Sequence, residues 1–337
     1  MTQKRRSRLV PDVDFDRDGV QHGYVRLFHS THDSAYGFIP IPISVLRNGT
    51  GPTALFVSGN HGDEYEGQVA LSELARELQP ADIKGRIIIL PMANYPAALA
   101  GRRVSPIDDA NLNRIFPGDP DGSVSQQIAW FITSELIPRA NLVCDLHSGG
   151  SSLMYSPCAL MTRFEDAERT AKLREALIAF GTPLAYIAEP AQGQGADQTL
   201  GGVAAQQGVM ALGTELGGGG TVTPVAADMA RRGVRNLLAY LGILPERARV
   251  APPAPTRVLG VSPDAFLYAP ENGVFEPLAA PGDMVTAGQP ACRIHFPETP
   301  GAAPVELAFP RAGYVLCRRV PARTKRGDCL FGLGVDA

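Results

Sequence analysis

Between Thr53 and about Leu244 the sequence alternates short apolar runs with longer amphipathic ones, and this restricts the fold more than any other feature. The strand-like runs are 54–58, 86–92, 142–146, 184–188 and 209–214, and the helix-like ones are 66–78, 125–136, 163–180, 198–207 and 224–241. Ser123 is placed to cap the second helix. Strand–helix alternation over this length predicts an α/β fold, a mostly parallel or mixed sheet with helices on both faces.

The chain divides by composition into an N-terminal extension (1–40), an α/β unit (41–245), a proline-rich linker (246–256) and a C-terminal β domain (257–337). The linker ends in Ala251-Pro252-Pro253-Ala254-Pro255, a stiff composition. Beyond it two similar passages occur. One runs from Ala269 through Gly273-Val274-Phe275 to Pro281-Gly282-Asp283, and the other from Phe309 through Gly313-Tyr314-Val315 to Gly327-Asp328. Repeated Gly-Asp turns between apolar runs predict a small antiparallel β unit with internal pseudo-symmetry.

With 337 residues, 45% of them hydrophobic, the chain can bury a substantial core. Its net charge of −3 has acids and bases interspersed, so no electrostatic footprint favours nucleic acid or an anionic membrane. The basic start, Lys4-Arg5-Arg6-Ser7-Arg8, reads as a solvated tail; no secretory apolar stretch follows it, and a cytoplasmic protein is expected. The five cysteines contain no Cys-x-x-Cys pair, and their odd number argues for buried thiols over a disulfide framework.

Two segments at strand ends carry the chemistry: Gly59-Asn60-His61-Gly62-Asp63-Glu64 and Asp145-Leu146-His147-Ser148-Gly149-Gly150. Two histidines and a carboxylate are the ligand set of a catalytic zinc site, because three protein ligands leave a coordination position for water. An open α/β sheet puts its chemistry in the crevice outside the carboxyl ends of its strands, where both segments fall. A lone histidine in such a turn is more often a hydrogen-bonded loop residue. Further elements weigh against that reading: Arg102-Arg103, then Asn111-Leu112-Asn113-Arg114-Ile115-Phe116-Pro117-Gly118, and Gly213-Thr214-Glu215-Leu216-Gly217. A guanidinium beside an amide suits a substrate carboxylate, and a second arginine suits a developing oxyanion. Glu215 is placed to act as general base. Asp145 either orients His147 or caps a neighbouring element. The glycine run 217–220 lacks a following Gly-Lys-Ser/Thr, so it reads as a flexible turn rather than a phosphate loop.

Taken in order, His-x-x-Glu, Asn94-Tyr95-Pro96-Ala97, Asn-x-Asn-Arg-x-Phe-Pro-Gly, Asp-Leu-His-Ser and the glutamate before a Gly-rich turn resemble the succinylglutamate desuccinylase/aspartoacylase family over about three quarters of the chain. The resemblance implies a zinc carboxypeptidase-like fold. It also implies one zinc held by His61, Glu64 and His147, Glu215 as catalytic base, Asn113 with Arg114 on the substrate carboxylate, and Arg103, ahead of Arg102, polarising the scissile carbonyl. Asn111 stands where the aspartoacylase pattern has Asp. The C-terminal passages resemble the barrel-sandwich fold of biotinyl and lipoyl carriers, without the Met-Lys-Met of a carrier; Lys325 reads as a surface residue. That unit is expected to shape the mouth of the active site or an oligomer interface.

The implied reaction is hydrolysis of the amide of a small N-acyl amino acid. The stretch 103–108 and the Asp145 segment look most like the branch that deacetylates N-alpha-acetyl-L-2,4-diaminobutyrate in ectoine breakdown. Such a substrate offers a carboxylate to Arg114 and an ammonium to an acid, for which Asp108, Asp109 and Glu189 are available by type. The alternatives are a metallocarboxypeptidase acting on peptides and a zinc-binding module without catalysis. No nucleic-acid or membrane partner is expected; family members are often oligomeric, so further copies of the chain are the macromolecular partner the resemblance implies.

Overall fold

The computed structural model describes residues 5–163, 166–188, 196–252 and 254–337; Glu189 and Pro253 lie outside the described residues. Four strands, Gly85–Leu90, Thr53–Ser58, Leu142–His147 and Met210–Glu215, lie side by side and parallel at the centre of a large mixed sheet. On one side the long hairpin of Gly19–Phe28 and Phe38–Asn48 adds antiparallel to Gly85–Leu90. Residues 10–48 thus supply one border of the sheet. On the other side Cys158–Thr162 joins Met210–Glu215 antiparallel, and Leu184–Ala188 follows.

The central runs are apolar throughout because both faces of the sheet are covered. Alternate side chains take opposite sides: Phe56, Ile87 and Cys144 pack under the helices Glu66–Glu77, Ala167–Phe180 and Pro224–Tyr240. Leu55, Ile88 and Val143 pack under Val124–Phe131 and Leu200–Gln206. Ser123 forms a capping box with Gln126 at the start of Val124–Phe131, as its position suggests. The third helix begins after Asp166, whose Oδ1 accepts from Glu168 N and Arg169 N, later than apolar periodicity alone indicates.

The proline-rich stretch does not interrupt the sheet. Arg257–Val261 pairs parallel with Leu184–Ala188, and Cys329–Asp336 then pairs antiparallel with Arg257–Val261 and with Gly313–Arg319. The two similar C-terminal passages pair reciprocally: Gly273 and Val274 with Thr324 and Arg323, and Gly313 and Tyr314 with Val285 and Met284. Phe275, Phe309 and Phe331 fill a separate apolar cluster among these strands. Gly313–Arg319 also pairs with Leu153–Tyr155, so the C-terminal strands brace the segment that follows His147.

Of the basic start, Lys4 lies outside the described residues; Arg5 and Arg8 are exposed, as a solvated tail would be, yet Arg5 pairs with Asp119 at 2.7 Å and both pair with Asp121. All five cysteines are free thiols, four of them buried. Among the described residues no helix is long and apolar enough to cross a membrane.

Candidate metal centre and active site

The parallel register builds the site. Glu215 pairs directly with His147 across adjacent strand ends, which sets both side chains on one face. His61 and Glu64 come from the turn leaving Thr53–Ser58, the next parallel neighbour. That turn requires glycine at 62, where a Cβ would sit 2.0 Å from the Ala97 carbonyl carbon. The close approach holds the turn against the short helix Tyr95–Ala100.

One ligand atom from each of His61, Glu64 and His147 can be chosen so that all three lie within 4.8 Å of one another. His61 Nδ1 is 2.7 Å from Glu64 Oε1, and His147 Nδ1 is 2.7 Å from Glu64 Oε2. The far ring nitrogens are engaged too. His61 Nε2 lies 3.1 Å from Asn111 Oδ1, and His147 Nε2 lies 2.7 Å from Asp145 Oδ2. Donation by Nε2 to these oxygens directs each Nδ1 lone pair at the Glu64 carboxylate. Two lone pairs facing a carboxylate repel unless a cation or proton sits among them, so this donor set fits a divalent metal. Asp145 is itself held by Asn60 Nδ2 at 3.0 Å.

The buried charges also shift one another's titration. Burial opposes ionisation of Glu64, yet the two imidazoles overrule it and hold its carboxyl well below the usual range. Burial likewise disfavours a charged His147, but Asp145 and Glu64 outweigh it and raise the imidazole well above its ordinary value. For His61 burial wins, and its pKa is lowered. Glu215 is pushed well above the carboxylate range by burial and then by the Glu64 charge, and its Oε2 is buried without a hydrogen-bond partner.

These groups open into one cavity of about 960 Å³. Arg103 lines it, with Nη1 3.4 Å from Glu64 Oε1; Arg102 does not. Arg114, an exposed residue, lines it too, its Nη1 donating to the Asn113 carbonyl at 2.7 Å. Leu200 N donates to Asn113 Oδ1 at 2.9 Å, which fixes the direction of that amide. Its Nδ2 lies 3.1 Å from His147 Nε2, whose proton the shorter Asp145 contact already claims, so the amide hydrogens remain available to a ligand. Tyr155, Leu160 and Tyr186 form an apolar and aromatic part of the wall. Among the described residues none beyond 257 lines the cavity; the C-terminal strands reach it through their pairing with Leu153–Tyr155.

The glycine run after Glu215 is tied down rather than flexible. Gly149 N and Tyr155 N both donate to Gly217 O, Gly219 N donates to Leu153 O, and Gly220 N donates to Gly150 O. Gly218, at φ 139°, leaves only 2.1 Å between a would-be Cβ and Leu153 O. These glycines let two strand ends dock.

Three positions escape the sequence reading. Asn111 orients His61, but a motif 50 residues downstream does not show which ring its amide meets. Asp63 accepts from Ser151 N at 2.7 Å and Ser151 Oγ at 2.8 Å, clamping the His61 and His147 turns together. Thr214 Oγ1 accepts from His147 N, a contact its place one residue before Glu215 hints at only once the strand pairing is known.

The chain matches the model of the succinylglutamate desuccinylase/aspartoacylase catalytic domain over residues 50–241. It is 43% identical, over 97% of its length and 95% of the relative's, to an N-alpha-acetyl-L-2,4-diaminobutyric acid deacetylase from Halomonas elongata. Its fold is similar to that of the product-bound ectoine utilization protein EutE (DoeB) from Ruegeria pomeroyi, with a TM-score of 0.93, 40% identity, and 98% of this chain and 99% of that one covered. A succinylglutamate desuccinylase/aspartoacylase from Rhodobacter sphaeroides gives a TM-score of 0.92 at 39% identity, covering 98% of this chain and 99% of that one. The chain belongs to the succinylglutamate desuccinylase/aspartoacylase family and is an amidohydrolase.

Proposed function

We propose that this amidohydrolase removes the acetyl group from N-alpha-acetyl-L-2,4-diaminobutyrate, a step of ectoine degradation, with one zinc ion held by His61, Glu64 and His147. The observation that carries the chemistry is the convergence of two imidazoles on Glu64, with the unpartnered Oε2 of Glu215 on the strand end paired to His147. The 43% identical relative named for that deacetylation supports the substrate.

Zinc at such a site supplies Lewis acidity, bringing the pKa of water to about 7 and polarising an amide carbonyl. Glu215 takes one proton from the attacking water as its oxygen bonds to the amide carbon. Arg103 donates to the oxygen on which negative charge develops. When the carbon–nitrogen bond breaks, Glu215 returns its proton to the leaving nitrogen, giving acetate and a free amine. A carboxyl whose pKa is raised above the ordinary carboxylate range holds the proton it has taken more firmly, which suits Glu215 to carry it to the leaving nitrogen. Arg114 and the Asn113 amide hydrogens hold the substrate carboxylate, fixing the scissile bond relative to Glu215. We read the strands after residue 257 as a barrel-sandwich domain that stiffens the cavity wall.

The test is primary-amine release by zinc-loaded protein from N-alpha-acetyl-diaminobutyrate, N-succinyl-glutamate and a short peptide. The deacetylase reading expects release from the first in clear preference. Release of a C-terminal residue from the peptide, with the acetylated amino acid untouched, would replace it with a metallocarboxypeptidase.

A further inference from the structure

We infer that Asp197 selects the substrate by pairing with a side-chain ammonium group. The inference rests on the reading of the site as an N-acyl amino acid deacylase, and it concerns which amino acids that site accepts.

Among the described residues four carboxylates line the cavity: Glu64, Asp145, Glu215 and Asp197. Three are committed. Glu64 faces both imidazoles, Asp145 is bonded to His147 and Asn60, and Glu215, in register with His147, is the proposed general base. Asp197 is the acid left over, in the short turn Ala196–Gln198.

Of the three acids the sequence offered by type, Glu189 lies outside the described residues and the other two do not take this role. Asp108 is consumed at a helix start, accepting from Ser123 Oγ at 2.7 Å, Ser125 N at 2.8 Å and Ser125 Oγ at 2.8 Å. Asp109 does not line the cavity.

Asp197 is also fixed relative to the carboxylate-binding residues. Phe116 N donates to the Gln198 carbonyl at 3.1 Å, and Leu200 N donates to Asn113 Oδ1 at 2.9 Å. The Asp197 turn and the Asn113-Arg114 turn are therefore one unit, presenting a negative and a positive charge to the same space. An amino acid with a carboxylate and a short cationic side chain matches both charges. One with a second carboxylate meets Asp197 and is repelled.

The experiment compares kcat/KM of zinc-loaded wild type and Asp197→Asn on three N-alpha-acetyl amino acids: 2,4-diaminobutyrate, its neutral analogue 2-aminobutyrate, and aspartate. Loss of one charge-assisted hydrogen bond lowers the value about ten- to hundredfold on the first. That fall should appear mainly in KM, with the neutral analogue changed less than about twofold. Asp197→Glu should recover part of the loss, and Asp197→Lys should raise activity on acetyl-aspartate. An equal fall on charged and neutral substrates would reduce Asp197 to a structural role and overturn the inference, as would no change on the first. Wild-type protein inactive on all three would overturn the deacylase reading and this inference with it.

Discussion

Glu215→Gln lowers kcat by about 10²–10⁴-fold and leaves zinc bound, the loss expected when a positioned general base is removed. Gln keeps the shape of a side chain that is paired in register with His147, and Glu215 is outside the metal-binding trio, so the fall has to come from proton transfer. The same variant changes stability in a definite direction. Burial and the Glu64 charge raise the Glu215 pKa in the folded protein, so the fold binds that proton more tightly than the unfolded chain does. Its contribution to wild-type stability is present at low pH and is lost as pH rises from the ordinary glutamate range toward the raised value. Gln cannot ionise. Melts of metal-free protein at pH 5 and pH 8 should show the variant gaining on wild type at the higher pH, and kcat with zinc content should show the catalytic loss.

His147→Ala abolishes stoichiometric zinc binding and activity together, and it destabilises the fold more than His61→Ala does. His147 is the hub of the buried charges: its ring touches both Glu64 and Asp145, and removing it strands two carboxylates. Breaking a buried charge pair in this way costs about 3–5 kcal/mol. His61 touches Glu64 and the neutral Asn111 amide, so its loss strands less charge. Zinc per chain measured by elemental analysis, with denaturant midpoints for both variants, checks the order. Equal destabilisation, or retained zinc in His147→Ala, would contradict the geometry.

Much of this site is legible in the sequence because its candidate ligands sit where parallel strands end. The apolar runs into His61, His147 and Glu215 mark those ends, and strand polarity brings them to one edge. What the sequence withholds is pairing at long range. The strands Leu153–Tyr155 and Cys158–Thr162 lie among polar residues and turns and gain their character from partners, one of them in the C-terminal strands. Asn111 and Asp63 have the composition of loop residues, and their roles depend on meeting His61 and Ser151 across the fold. The glycine run after Glu215 suggests freedom by composition, whereas its backbone is consumed by hydrogen bonds to the His147 turn. Asp197 carries no motif; only the shape of the cavity distinguishes it from other exposed acids.

The measurement that tests the central claim most directly is amine release from N-alpha-acetyl-L-2,4-diaminobutyrate by metal-stripped protein titrated with zinc. The account predicts no release without metal, and a rise that is linear in zinc and levels off at one equivalent per chain. Full activity in the stripped protein, or zinc bound at one equivalent with the substrate left intact, would contradict it.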